Sequence, residues 1–325
     1  MEHQFQKRVR TGVLWLPAWL LSLAAISLAQ SFTEYNIPTA GSLPFSITTG
    51  PDGALWFTEW MGNTIGRIRF DGSITEYPLP NPNSQPIWIK PGPDGALWFT
   101  EQGGNRIGRI TTSGAISEYP VPTPHSEPWN ISVGQDNTLW FTEKTGFNIG
   151  SITTAGAITE YPVPLSPWDL TLGSDGALWI TERAYNKIAR MTTSGDLTNQ
   201  YVSPTADSGP DVIITGPDLE LWFTEEFGDK IAQLTTAGVF TEYPVPTPAS
   251  QPGCITMGPD GAFWFTEHAG NKIGRMTPSG IMTEYSVPTP DSVPMVIEPG
   301  PDGSLWFTEF QGNKIGRITT PAGVH

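Results

Sequence analysis

A single cysteine, Cys254, stands in 325 residues. No intrachain disulfide can form, and a lone thiol inside an apolar run reads as a small core residue. Charge is also scarce. Charged residues make up 15 % of the chain, and 17 Lys and Arg face 32 Asp and Glu. That balance lacks the basic footprint of a nucleic-acid binder and is repelled by anionic membranes. Helical periodicity is missing, with no sustained apolar repeat between caps. No Cys/His zinc spacing, phosphate loop or serine-nucleophile motif occurs.

Long apolar runs are confined to one place. Lys7, Arg8 and Arg10 precede an apolar stretch from Val13 to Ala25, and Ser27-Leu28-Ala29 has the small-x-small form of a cleavage site. Residues 1–29 therefore read as a secretory signal peptide, the alternative being an uncleaved membrane anchor, which the short apolar run interrupted by Pro17 disfavours. The expected product is secreted or periplasmic, with no membrane attachment after cleavage. Removing three cations and one anion takes the formal charge from −15 to −17.

What the chain has in abundance is turn residues and repetition. It carries 35 Gly and 32 Pro, enough to punctuate many short strands. The motif Trp-Phe-Thr-Glu, or a near copy, starts at Trp56, Trp98, Trp140, Trp179, Trp222, Trp264 and Trp306, at spacings of 42, 42, 39, 43, 42 and 42. A period in the low forties built from β-branched and aromatic residues predicts propeller blades. A second motif, typified by Ile74-Thr75-Glu76-Tyr77, also occurs seven times but out of phase: it opens the chain at Phe32 and is absent after the last Trp motif. Closing the ring requires the Phe32–Tyr35 strand to complete the last blade beside Ile315–Thr319, since an open ring leaves strand edges unpaired. The prediction is all-β: one seven-bladed β-propeller of four-stranded blades over residues 30–325.

Each repeat divides into strands a to d. In the first, strand a follows Pro44, and Gly50-Pro51-Asp52-Gly53 makes a tight turn. Strand b is Ala54–Glu59, strand c Ile65–Ile68, and strand d Ser73–Tyr77. Strand b is apolar on both faces, as expected for a sheet packed between two neighbours. Gly66 and its counterparts mark close backbone approach or bulges. The period breaks twice. The crossing from Tyr161 to Pro167 is three residues short, and the fourth repeat gains one residue near Asn199-Gln200.

Features present in every blade most simply serve the scaffold. The Glu column ending strand b and the Arg column of strand c are expected to pair or hydrogen-bond within a blade. Function is sought where blades differ, on the side that gathers the d–a crossings and b–c loops. After the strand-a proline stand Phe45, Ile87, Trp129, Trp168, Asp211, Gly253 and Met295. After the strand-b glutamate stand Trp60, Gln102, Lys144, Arg183, Glu226, His268 and Phe310. This predicts an aromatic rim with a few charges. Trp129, Trp168, Asp211 and Arg183 are the candidate ligand contacts, and His268 is the candidate base.

The repeats Gly-Pro-Asp-Gly-x-Leu-Trp-Phe-Thr-Glu and Asn-Lys-Ile-Gly-Arg-Ile resemble the virginiamycin B lyase (streptogramin lyase) family over residues 30–325. The resemblance implies an enzyme that opens a cyclic depsipeptide by eliminating across its ester C–O bond, with Mg²⁺ bound. It also implies histidines after the strand-a proline in two late blades, a glutamate two residues before the second, and the strand-b glutamate of that blade. Here those positions are Gly253, Met295, Val293 and Glu309. Glu309 alone keeps its family identity, with Glu267 as a second candidate Mg²⁺ ligand. A lyase needs a base near the α-proton and an electrophile for the leaving carboxylate, and Gly, Met and Val supply neither. The expectation is an exported, lyase-like monomer that binds a small molecule or peptide at its central mouth. The alternatives are a C–O lyase with a relocated base and a metal-dependent lactonase-like hydrolase.

Overall fold

The computed structural model describes residues 30–135 and 137–320; the predicted leader 1–29 and the terminal His325 lie outside them. Seven four-stranded antiparallel sheets form a ring, one per repeat, in the order a-b-c-d. In blade one the strands are Pro44–Thr49, Leu55–Glu59, Thr64–Ile68 and Ile74–Pro78. The ring closes as the phase offset predicts. The N-terminal strand Phe32–Asn36 pairs antiparallel with Lys314–Thr319, placing Phe32 opposite Ile318 and Asn36 opposite Lys314.

Strand b forms the core because each face meets a different blade. Trp56 packs with Leu97 and Phe99 of the next blade and stacks on Tyr77 at 5.4 Å and 17°. Phe57 points the other way, onto the Gly66 backbone, where an added Cβ would collide with its ring. The glycine column is thus room for a phenyl ring.

The turn aspartate is a clamp that pattern reading missed. Gly53 takes φ +73°, closing the turn. Asp52 Oδ1 then accepts the Trp56 indole N–H at 3.0 Å, and Oδ2 accepts from Arg67 Nε at 2.7 Å. The clamp recurs around the ring: Asp94, Asp175, Asp260 and Asp302 bind Arg109, Arg190, Arg275 and Arg317 the same way.

The expected pairing of the Glu and Arg columns is therefore corrected. Register sets Arg67 opposite Trp56, whereas Glu59 lies opposite Thr64 at the other end of the strand. Arg67 turns to the a–b turn. Glu59 sits beneath the d–a crossing beside Ser42 and Gly62. Both carboxylate oxygens of Glu59, Glu101, Glu267 and Glu309 lack a hydrogen-bond partner among the described residues. Burial pushes Glu59 up to about 8 and Glu101, Glu143, Glu182, Glu267 and Glu309 to about 7.

The crossings are pinned by asparagine in left-handed backbone, a conformation its short polar side chain tolerates. Asn63, at φ 55°, donates to Asn81 O at 2.9 Å and accepts from Ser84 N–H at 2.7 Å. Phe147 holds this position in blade three, where the shortened crossing leaves. Strand a of blade four is correspondingly cut to Leu170–Leu172. The added residue of that blade bulges between Leu197 and Asn199, since Met191 pairs with Leu197 and Arg190 with Asn199. That is Thr198, one position before the predicted place.

Candidate functional site at the central mouth

The site is built by a bulge at the head of strand a. In six blades the register shifts between the proline and the third residue after it, as between Pro44 and Ile47. A bulge re-aims side chains, and here two successive residues contribute to the axial cavities. Sequence columns captured the first of them. The second column, with Trp88, Asn130, Asp169, Val212, Cys254 and Val296, was missed, because alternation alone sends every other residue to the opposite face.

The mouth cavity holds about 180 Å³. Trp129, Trp168, Arg183, Asp211 and His268, all predicted, come together around it, joined by Phe45 and Glu226. Trp129 and Trp168 pack at 4.7 Å and 41°. The short crossing carries Trp168 to this position, and its backbone N–H bonds Thr181 O at 2.8 Å. Lys144 Nζ lies 4.8 Å from the Trp129 ring and 4.5 Å from the Trp168 ring. Arg183 also lies over Trp168, at 4.5 Å. These cation–π contacts hold the indoles in place.

The polar groups form one linked set. The Trp168 indole N–H donates to Asp211 Oδ1, and Arg183 pairs with Glu226. Burial, then the Asp211 carboxylate, lifts Glu226 to about 7 against the pull of Arg183. His268 is half-buried with its Nε2 out of contact with solvent; the desolvation lowers its pKa and keeps the ring neutral, and Nε2 has no hydrogen-bond partner among the described residues. Its place is made by Gly253, where an added Cβ would land on the imidazole. Cys254 is a buried thiol donating weakly to Ile297 O at 3.7 Å, and burial pushes its pKa up, as expected of a core residue.

Below the mouth an axial chamber of about 280 Å³ shares the Trp88, Val212 and Cys254 wall. Lys90 of blade two and Glu298 of blade seven form an ion pair at it. Burial would depress Lys90, but Glu298 prevails and raises it.

Glu309 and Glu267 are not among the residues lining the mouth cavity. Each is enclosed in its own blade, Glu309 beside Ser292 and Glu267 beside Ser250. They do not form a shared donor set for Mg²⁺, which requires several converging oxygens. Among the described residues no group of three or more His, Cys, Asp or Glu is placed to hold a metal ion. Val293 and Met295 bring no acid–base group to blade seven. Among the described residues no helix is long and apolar enough to cross a membrane.

The sequence profile of the virginiamycin B lyase family matches residues 21–166 and 164–325. Virginiamycin B lyase from Staphylococcus aureus is 42 % identical, with 90 % of this chain and 99 % of that one covered and a TM-score of 0.84. A streptogramin B lyase is 39 % identical over 89 % and 97 % of the two chains, at a TM-score of 0.85. A catalytically inactive variant of the Staphylococcus aureus enzyme with quinupristin superposes at 0.85, with 42 % identity over 90 % and 99 %. Matched in both halves by the family profile and along its ring by these lyases, the chain belongs to the virginiamycin B lyase family.

Proposed function

We propose that this chain is an exported propeller that binds a small organic molecule or peptide at its central mouth. The observation that carries this reading is the packed Trp129–Trp168 pair walling a cavity whose polar groups, Arg183, Asp211, Glu226 and His268, converge on it. Concave aromatic walls with a few placed polar groups are the usual form of a ligand site. The positions where the family resemblance implies two histidines and a glutamate carry Gly253, Met295 and Val293, so binding is favoured over elimination. Quenching of tryptophan fluorescence by a B-type streptogramin or a small aromatic probe tests it. A Trp129→Ala/Trp168→Ala pair that leaves such binding unchanged would show the rim to be packing alone.

One observation favours a second reading, a C–O lyase with a relocated base. The unpartnered Nε2 of neutral His268 occupies the space freed by Gly253. A neutral imidazole can accept an α-proton as the ester C–O bond breaks, its electron pair leaving on the carboxylate. Incubation of a B-type streptogramin with the protein and Mg²⁺ decides between the readings. An intact ring supports binding, whereas ring opening abolished by His268→Ala establishes the lyase.

A further inference from the structure

The axial chamber has unmet hydrogen-bonding capacity that the scaffold does not use. Asn130 and Asp169 are 4 % and 2 % exposed, yet Oδ1 of each has no partner. They stand in adjacent blades and both line the chamber. Buried acceptors without donors are uncommon, and each one costs stability until a partner arrives. Asp169 Oδ2 is satisfied, accepting the Ile213 N–H at 2.8 Å. Its Oδ1 is therefore free while the carboxyl is held in one orientation.

Charge points the same way. Across the two cavities the carboxyl groups of Asp169, Asp211, Glu226 and Glu298 face only Lys90 and Arg183. Lys90 and Arg183 are each committed to one carboxylate, Glu298 and Glu226. Asp169 has no direct ion pair among the described residues, and burial with the nearby Asp211 lifts it to about 8 against the pull of Lys90. Above it the walls are aromatic. Phe45 meets Trp129 edge-on at 5.5 Å and Trp88 at 6.3 Å. An aromatic wall over unpaired acceptors suits a cation that carries N–H donors.

We infer that the ligand bound at the mouth is an organic amine, whose ammonium group enters the axial chamber between Asn130 Oδ1 and Asp169 Oδ1 while its apolar body lies against Trp88 and Trp129. This rests on the mouth-binding reading and names its ligand class. Two ammonium N–H groups satisfy the two acceptors, and the positive charge favours the ionised form of Asp169, whose proton passes to solvent as the amine binds. The Trp88 indole N–H, which also lacks a partner, is left for an oxygen on the ligand or an ordered water. Trp88, Asn130 and Asp169 belong to the second column of strand a, so they differ between blades and form no part of the repeat.

Benzylammonium, benzyl alcohol and benzoate share one ring and differ in charge, so they serve as probes. Titrations followed by calorimetry and tryptophan fluorescence should show benzylammonium binding at least about tenfold more tightly than benzyl alcohol, with benzoate weakest. Asp169→Asn retains an oxygen for the Ile213 N–H and cannot ionise against the amine, and it should reduce that preference to about twofold while leaving benzyl alcohol unchanged. Asn130→Leu, verified as folded by circular dichroism, should weaken benzylammonium alone and keeps the test valid if Asp169→Asn fails to fold. Equal affinity for the three probes, or a preference surviving both substitutions, overturns the amine assignment and leaves mouth binding standing. No binding by any probe counts against both.

Discussion

The strand-b glutamates should make this propeller less stable as pH rises, and Glu309 is the site at which to test it. Burial, then the Glu34 carboxylate, raises Glu309 from 4.5 to about 7, against partial opposition from Lys314. A group whose folded pKa is raised contributes stability that is full below its unfolded pKa and is lost as pH climbs through the folded one. The window is therefore about pH 4.5 to 7, and Glu59, Glu101, Glu143, Glu182 and Glu267 act with the same sign. The lift at Glu309 corresponds to about 3 kcal/mol. An ionised carboxylate that draws in water or Lys314 retains part of that, leaving about 1–2 kcal/mol per site. Glu309→Gln preserves the shape and cannot ionise. Thermal unfolding by circular dichroism should place the wild-type Tm lower at pH 8 than at pH 5. The variant should match wild type at pH 5 and exceed it by about 2–4 °C at pH 8. His268 opposes this trend, because desolvation lowers its pKa and acid would charge it, but the raised carboxyls, Glu225, Glu226 and Asp169 among them, outnumber it. The depressed carboxylates, Asp52, Asp302 and Glu34 among them, lose their contributions only below the window. A wild-type Tm that rises from pH 5 to pH 8 would refute the reasoning, as would a Glu309→Gln effect equal at both.

Three further outcomes are expected. Asp302→Ala removes the acceptor of both Arg317 Nε and the Trp306 indole N–H; leaving that indole unsatisfied should cost about 2 kcal/mol, read as a lower denaturation midpoint. Arg183→Ala leaves the Glu226 carboxyl buried without its cation, so the loss of stability should be larger at pH 8 than at pH 6, and equal losses at both would contradict the pairing. Deleting residues 30–36 strips the strand that closes the last blade; the exposed edge of Lys314–Thr319 should lower Tm by more than about 10 °C and promote association visible in size-exclusion chromatography.

Much of the architecture was legible in the chain because it is local and repeated. A Pro-Asp-Gly turn, a strand apolar on both faces and a second motif out of phase determine blade number, strand order and closure without reference to any distant contact. Comparing unlike residues in like positions also located Trp129, Trp168, Asp211, Arg183 and His268 at the mouth. Other features follow from contacts that periodicity does not encode. Arg67 has both Glu59 and Asp52 within its repeat, and strand register alone decides that it meets the aspartate. The bulge after Pro128 adds Asn130 to the axial wall, against the alternation a strand would follow, and Asp169 reaches the same wall from the end of the shortened crossing, just ahead of strand a of blade four. Lys90 and Glu298 are 208 positions apart and meet only because the ring closes. Gly253 and His268 share one space only once strands a and b are packed. The sequence by itself determined the ring and its mouth; tertiary structure decided which charges are paired, which are buried alone, and which acceptors among the described residues lack a donor.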